Sequence, residues 1–258
     1  MIRVLTIVSA FASLSLFAAC AASGGGAVAA SEAPVGATAE QRAAAADLDP
    51  ITRATFWNAE YERNPVDREA ALEFSKALRA MGSAAKAGAV AELAVQQNPG
   101  DVDLLIALAS ARLAEGRPPA ALGPLEQAIA YAPSDWRGYS TLGVALDQSD
   151  RYEEARGRYR QALELSPGNA TVLTNMGVSY MLSGEAGTAE RMLREAASLP
   201  GATAQARQNL ALALAYQGKF EEAERLALVD LPPDAARNNI EYARSMLTRQ
   251  RRWDDLRR

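Results

Sequence analysis

The chain contains one cysteine, Cys20, and no histidine, and these two facts limit the chemistry that it can perform. A disulfide needs a second cysteine, and a zinc site needs several ligands. Without histidine the chain also lacks the commonest general base and the commonest metal ligand. Acidic pairs such as Glu153-Glu154 and Asp254-Asp255 are typical of the solvated faces of helices. We therefore predict no catalytic residues, no metal site and no cofactor.

The residues before Cys20 indicate that this cysteine is a processing site. Arg3 is the only charged residue among the first 31, and the apolar run VLTIVSAFASLSLF follows it. The run is shorter than the roughly 20 apolar residues that a membrane-spanning helix needs. A basic start, a short apolar core and small residues are typical of a secretory signal, and cleavage after Ala19 would make Cys20 the new N-terminus. A plain secretory signal with an incidental cysteine, or an uncleaved anchor, stays open as an alternative.

The stretch Leu16-Phe17-Ala18-Ala19-Cys20 resembles a bacterial lipoprotein signal, although Phe17 stands where a small aliphatic residue is usual. The resemblance implies that residues 1–19 are removed and that Cys20 carries several acyl chains, which anchor the protein to a membrane. Ala21 and Ala22 differ from the aspartate associated with inner-membrane retention, so the implied location is the periplasmic face of the outer membrane. Residues 20–47 are rich in alanine, glycine and serine, which predicts a flexible tether.

Beyond residue 47 the strongest feature is a repeat of 34 residues. Prolines mark it at Pro65, Pro99, Pro133 and Pro167. Helix-capping residues follow in the series Asp67, Asp101, Asp135, Asn169 and Thr203. Glycines that suit left-handed helix ends form the series Gly82, Gly116, Gly184 and Gly218, which Asp150 interrupts. Each repeat should therefore hold two helices, and the absence of alternating β-branched stretches predicts an all-α chain.

A 34-residue helix–turn–helix repeat with small residues in fixed positions resembles the tetratricopeptide repeat. The motif positions of the best unit are Leu142, Gly143, Tyr152, Ala155, Tyr159, Ala162 and Pro167. The resemblance implies an all-α, right-handed solenoid of five repeats over residues 67–233, preceded by a partial repeat helix at 48–66. Residues 234–258 are predicted to form a capping helix with a basic tail.

The lipoprotein signal, the tether, the repeats and the phrase LPPDAARNNIEYARSML together resemble the TadD-like lipoproteins of the tight-adherence (Flp) pilus machinery. The resemblance implies a non-enzymatic, pilotin-like role in assembling the secretin, which is the secretion channel of the pilus. Two alternatives stay open. One is a general periplasmic scaffold for outer-membrane protein assembly or envelope maintenance, and the other is an enzyme or the regulatory subunit of one.

In tetratricopeptide arrays the first helix of each repeat lines a concave groove, so the inward positions of those helices are the candidate partner-binding site. These positions are basic at the first repeat and apolar toward the last two. The candidate groove residues are Lys76, Arg79, Val144, Val178, Met181, Leu212 and Tyr216. An apolar groove suits the apolar face of a partner helix or an extended protein segment. The alternative is that Val178, Met181 and Leu212 pack beneath neighbouring helices.

The formal net charge is −4, from 27 Lys and Arg against 31 Asp and Glu. A mildly acidic chain does not favour nucleic-acid binding. The C-terminal stretch RQRRWDDLRR is basic, which suits the end of a helix, and contact with a partner or with anionic lipid is the alternative. The predicted partners are therefore a protein segment and, through Cys20, a membrane.

Overall fold

The computed structural model describes residues 36–256, so the predicted signal peptide and Cys20 lie outside the described residues. Every regular element within that range is helical. The elements are α1 (Ala39–Ala44), the 3-10 helix η1 (Ala45–Asp47), α2 (Pro50–Arg63), α3 (Arg68–Ala80), α4 (Ala84–Gln97), α5 (Val102–Ala114), α6 (Pro118–Tyr131), α7 (Trp136–Asp147), α8 (Tyr152–Leu165), α9 (Ala170–Leu182), α10 (Ala186–Ser198), α11 (Ala204–Tyr216), α12 (Phe220–Ala227) and α13 (Pro233–Leu256). Among these described helices, none has the length and apolar character needed to cross a membrane.

The first helix of each repeat begins in the same way. A side-chain oxygen of the capping residue accepts a hydrogen bond from a backbone N–H in the first turn, and such a cap contributes about 1 kcal/mol. The caps are those predicted: Asp67 for α3, Asp101 for α5, Asp135 for α7, Asn169 for α9 and Thr203 for α11. A 34-residue spacing of capping residues therefore fixes where five helices start.

One left-handed residue follows each of these first helices and turns the chain into the second helix. The four glycines of the series have φ between 71° and 85°, and Asp150 has φ 58° in the same register. Aspartate tolerates this conformation better than most residues. The hydroxyl of Tyr152 also donates to Oδ1 of Asp150 at 2.6 Å. Asp150 therefore replaces glycine in the series, but the chain makes the same left-handed turn there.

Small residues let the two helices of a repeat approach closely. Ala87, Ala121, Ala155, Ala189 and Ala223 occupy one position of the repeat, and each is 0% exposed. At another position a Cβ added to Gly143 would lie 2.5 Å from Cε1 of Tyr159, and one added to Gly177 would lie 2.6 Å from Cγ of Leu193. Both distances are below van der Waals contact, so the packing requires glycine there.

The helices form two layers. Successive first helices contact one another, α3 with α5, α5 with α7, α7 with α9 and α9 with α11, whereas the second helices α4, α6, α8, α10 and α12 make no such contact among themselves. Because the first helices approach one another more closely, the stack curves toward them and their layer forms the concave surface. The prediction of an all-α tetratricopeptide-type solenoid is confirmed.

The predicted tether is wrong for residues 36–47, because α1 and η1 fold onto α2. Helix α2 has the register of a second helix, but Arg53 and Glu60 stand where later second helices carry buried alanines. The guanidinium of Arg53 donates to the carbonyl oxygens of Ala46 and Leu48. Residues 36–47 therefore lie where a first helix would pack against α2. They supply hydrogen-bond partners to Arg53 and Glu60, at positions where a full repeat has alanine.

Arg42 holds this segment in place. Its Nη2 lies 2.8 Å from Oε2 of Glu60 and 2.7 Å from Oδ2 of Asp67, and its Nη1 lies 2.9 Å from Oε2 of Glu69. Burial alone would raise the pKa of Glu60, but the N–H of Ala37 and the cations Arg63 and Arg42 hold it below its ordinary value. Because these anchors are polar, the segment has no apolar periodicity that would predict its helix from the sequence.

The last helix, α13, has the register of a first helix. Ala236, Ile240 and Ala243 are buried in the cores formed with α11 and α12. Arg244 stands where earlier first helices carry a large apolar residue, such as Phe74 beside Tyr61 of α2, and its guanidinium lies over the ring of Phe220 on the preceding α12, 4.5 Å from the centroid. A polar side chain at this position suits the end of the stack. The side chains of residues 248–258 lie outside the described part of the chain, so the basic tail stays a prediction.

Candidate binding groove

The seven predicted groove residues lie on four first helices of the concave layer. Lys76 and Arg79 on α3 and Tyr216 on α11 are exposed, whereas Val144 on α7, Val178 and Met181 on α9 and Leu212 on α11 are half-buried. Val144 packs against the central core, and Met181 and Leu212 pack against the core around α11 and α13. Those three side chains therefore pack against the hydrophobic core as well as contributing to the surface of the groove. Four of the seven residues line two cavities, one at each end of the groove.

The first cavity, here called the N-terminal cavity, has a volume of about 360 Å³ and is lined by α2, α3, α5 and α7. It contains both Lys76 and Arg79. Its charged lining residues are Arg53, Glu73, Lys76, Arg79, Asp103 and Arg137. Four cations against two carboxylates give the cavity an excess of positive charge, as the sequence predicts for this end of the groove.

Both carboxylates of the N-terminal cavity already have cationic partners. Oε1 of Glu73 lies 2.6 Å from Nζ of Lys76, and Oδ1 of Asp103 lies 2.7 Å from Nη1 of Arg137. Arg137 also pairs with Asp135, at 2.6 Å. The negative charge of the cavity is therefore neutralised within the protein.

Two cations of this cavity keep unused donors. Nε of Arg53 is buried and has no hydrogen-bond partner within residues 36–256. Arg79 is exposed, and its guanidinium makes no hydrogen bond or ion pair with any described residue. The guanidinium of Arg79 is therefore available to a ligand.

A ladder of ion pairs, which we did not predict, borders the N-terminal cavity. Arg68 lies 2.5 Å from Asp101 and 2.5 Å from Asp103, and Asp103 in turn contacts Arg137. Burial would raise the pKa of Asp103, but Arg68 and Arg137 hold it below its ordinary value. The sequence did contain a signal for these ion pairs, because residues about one repeat apart are neighbours on adjacent first helices. Opposite charges at that spacing predict such contacts.

The second cavity, here called the C-terminal cavity, has a volume of about 350 Å³ and lies between α11 and α13. Its lining residues are Gln208, Asn209, Ala211, Leu212, Tyr216, Ala227, Leu231, Asn239, Ile240 and Tyr242. None of these side chains is charged. Tyr216 is 41% exposed and Tyr242 is 64% exposed, so two aromatic side chains border the cavity. Nδ2 of Asn209 is buried and has no partner within the described range.

A charged cluster lies next to the C-terminal end of α11, the helix that carries Tyr216. Glu190 on α10 accepts from Nζ of Lys219 at 2.6 Å, from Nε2 of Gln217 at 2.7 Å and from Nη1 of Arg194 at 2.6 Å. Lys219 is the largest cause that lowers the pKa of Glu190, to about 2. Since Gln217 follows Tyr216 directly, this cluster fixes the end of the helix that carries Tyr216.

The centre of the stack contains a buried polar network that we did not predict. Asp147 ends α7 and is 7% exposed. It accepts from the hydroxyl of Tyr159 at 2.7 Å and from that of Ser179 at 2.6 Å. Burial raises the pKa of Asp147 above its ordinary value, although both hydrogen bonds favour the ionised form. Since Ser179 belongs to the next repeat, the network joins two repeats within the core.

The described residues contain no group of three or more Asp, Glu, His or Cys side chains that could hold a metal ion. The chemistry of the concave surface is that of a binding site: a positively charged cavity, half-buried aliphatic side chains and a neutral cavity bordered by tyrosines.

Comparisons with known proteins agree with this geometry. Residues 106–170 and residues 203–229 match family models described as tetratricopeptide repeat. No curated protein sequence matches the chain. The solved structure of TTC0263, a thermophilic TPR protein of Thermus thermophilus, aligns with a TM-score of 0.62 and 27% identity over 68% of this chain and 98% of that one.

Two more distant structures share the fold alone. The human IFIT1 dimer with m7Gppp-AAAA aligns with a TM-score of 0.62 and 15% identity, over 73% of this chain and 49% of that one. The Cut9-Hcn1 hetero-tetramer of the APC/C aligns with a TM-score of 0.59 and 16% identity, over 75% of this chain and 39% of that one. The chain is therefore a tetratricopeptide-repeat solenoid, a fold that typically serves as a non-catalytic scaffold for protein interactions.

Proposed function

We propose that this protein is a lipid-anchored scaffold of the outer membrane that binds a partner protein segment in its concave groove. The partner that we propose is the secretin of a tight-adherence (Flp) pilus, and the role is pilotin-like. The sequence supports the anchor through the lone Cys20 behind an apolar signal, and it supports the pilus through the resemblance to TadD-like lipoproteins.

The observation that carries the binding proposal is the C-terminal cavity. Leu212 and Ile240 offer apolar surface, and Tyr216 and Tyr242 offer aromatic rings that remain exposed. Tyrosines of this kind are enriched where proteins bind proteins. The buried Nδ2 of Asn209 costs about 1–3 kcal/mol while it has no partner, and a carbonyl oxygen of a bound segment would supply one. A neutral cavity with these groups suits an uncharged apolar segment.

The groove is tested by placing a charge at Tyr216 in the full-length protein, in the bacterium that encodes it. Tyr216→Glu should abolish capture of the secretin, because an ionised carboxylate would lie against an apolar segment without a partner. The readouts are co-purification from detergent-solubilised envelopes, secretin assembly and pilus formation. Leu93→Glu is the matched control, because Leu93 is 51% exposed on α4 in the outer layer.

Two results would contradict the proposal. One is a folded Tyr216→Glu protein, checked by circular dichroism, that captures the secretin as the parent protein does. The other is a wild-type protein that captures no secretin although both proteins are present.

The anchor is tested separately by changing Cys20 to Ser. The variant should move from the outer-membrane fraction to the soluble periplasmic fraction with its repeats still folded. Retention of Cys20→Ser in the membrane after a salt wash would show that lipid on this residue does not hold the protein there.

A further inference from the structure

We propose that the N-terminal cavity binds an acidic–apolar segment, meaning a stretch of the partner protein that places carboxylates beside an aliphatic side chain. The inference rests on the proposed function, because it names the chemistry that the groove accepts at the end opposite the C-terminal cavity. It concerns a different set of residues, on α2, α3, α5 and α7.

The charge of the cavity selects an anion. Its two carboxylates, Glu73 and Asp103, are already paired with Lys76 and Arg137. Arg79 has no such partner among the described residues. A free guanidinium offers a planar pair of N–H donors that matches a carboxylate, and such charge-assisted hydrogen bonds are about twice as strong as neutral ones.

Lys76 adds a second binding point. Its ammonium group has three donors and makes one hydrogen bond, to Oε1 of Glu73 at 2.6 Å. Lys76 is exposed on the same side of α3 as Arg79, three residues earlier, which is nearly one helical turn. A ligand carboxylate bound to Arg79 would therefore have a second cation close by.

The rest of the lining explains why the ligand is a protein segment and not a free inorganic anion. Pro50, Ala77, Ala80 and Ile106 contribute apolar surface between the charged groups. A small anion would leave this surface in contact with water, whereas an aliphatic side chain next to a carboxylate would cover it. Nucleic acid is disfavoured because the chain as a whole carries a net charge of −4.

The test uses the folded protein with a pair of short fluorescent peptides. One peptide alternates glutamate with leucine, and the other is identical except that glutamine replaces every glutamate. Fluorescence anisotropy should show binding of the acidic peptide and little binding of the glutamine peptide. The affinity should fall as salt rises from about 0.05 M to about 0.5 M, because the Debye length shrinks over that range. Inorganic phosphate should displace the peptide no better than sodium chloride of equal ionic strength.

Two charge reversals locate the site. Arg79→Glu should weaken binding of the acidic peptide by at least about tenfold, since it removes one attractive contact and adds a repulsive one. Arg191→Glu is the matched control and should change binding by less than about twofold, because Arg191 is an exposed arginine on α10 in the outer layer. Both variants alter the net charge equally.

Equal binding of the acidic peptide by Arg79→Glu and by the wild type would overturn the inference. So would equal binding of the two peptides, or displacement by phosphate beyond the effect of ionic strength. These results would leave the proposed function intact, because that function is tested by capture of the secretin and by Tyr216→Glu. Conversely, loss of secretin capture without loss of acidic-peptide binding would contradict only the proposed function.

Discussion

The two ends of the concave groove have cavities of similar size and opposite chemistry. The N-terminal cavity measures about 360 Å³ and is lined by six charged side chains, whereas the C-terminal cavity measures about 350 Å³ and is lined by none. Lys76 and Leu212 occupy the same position of the repeat, four repeats apart. One backbone position therefore supports an ammonium group at one end and an isobutyl group at the other.

This difference between the two cavities shows that some positions of the repeat determine the fold and others determine what the groove can bind. One position that sets helix spacing holds a fully buried alanine in all five repeats, another holds only small residues, and the turn position keeps a left-handed backbone even at Asp150. The inward positions of the first helices carry no such constraint, because one side of each faces the groove. Their side chains vary from repeat to repeat without a change in the stack.

The largest effect on stability is expected at the buried alanine position between the two helices of a repeat, because both cavities depend on that packing. Ala155 is 0% exposed between α7 and α8. Ala155→Leu should overpack this site and lower the free energy of unfolding by about 1–3 kcal/mol. Thermal and urea unfolding measure this change. Glu164→Gln, on the exposed face of the same helix, should cost about 0.5 kcal/mol or less, because the Glu164 side chain makes no ion pair with a described residue. Equal stability of the two variants would contradict the assigned register.

A smaller effect on stability, confined to the C-terminal end, is expected at Glu190. Since the pKa of Glu190 is lowered from 4.5 to about 2, its contribution is present above pH 4.5 and is lost as the pH falls toward 2. We expect Glu190→Gln to remove about 1–2 kcal/mol at pH 7 and less at pH 3. Urea unfolding at both pH values measures the difference.

The control for this experiment is Glu195→Gln, which changes an exposed residue on the same helix. It should leave stability unchanged at pH 7. Exchange of backbone amides should increase near Tyr216 in Glu190→Gln and stay as in the wild type near Arg79, because Glu190 supports only the C-terminal cavity. Uniform loosening of both ends would show that the cluster acts on the whole stack.

The smallest effect is expected at the midpoint between the two cavities. Asp150→Asn should change stability by less than about 0.5 kcal/mol, because asparagine also tolerates the left-handed conformation and its Oδ1 can still accept from the hydroxyl of Tyr152. Thermal unfolding measures the change. Binding at either cavity should stay within about twofold of the wild type. A change in binding at one end only would mean that the central turn is coupled to that end.

The sequence predicts the repeated part of the structure well and its two ends poorly. Caps such as Asp101 and the buried position of Ala155 follow from the 34-residue period, since one rule applies to every unit. The folded segment 36–47 does not, because Arg42 and Glu60 anchor it through a single set of polar contacts. Such contacts have no period that a sequence pattern would show.

The placement of the candidate residues on the concave layer was predictable to a similar degree, and their role in binding stays a prediction. The basic pair Lys76 and Arg79 lies in one cavity and the pair Leu212 and Tyr216 lies in another, while Val144, Val178 and Met181 line neither. The buried position of Asp147 could not be read from its repeat position, which it shares with exposed Arg79. Its burial depends on hydroxyl groups of Tyr159 and Ser179 that happen to lie at the right distance.

The polar residues at the two ends of the stack have a consequence for assembly. A helical-repeat lattice has no intrinsic stop, and head-to-tail contacts between copies of such a chain would generate an open filament. Arg53 and Glu60 at one end and Arg244 at the other replace the apolar residues that would complete the next repeat. Residues 36–47 already cover Arg53 and Glu60 and supply partners such as Arg42 and the carbonyl of Ala46, so the place that another copy would have to occupy at this end is filled. End-to-end addition is therefore opposed at this end, and a partner that contacts both cavities must span the first helices that lie between them.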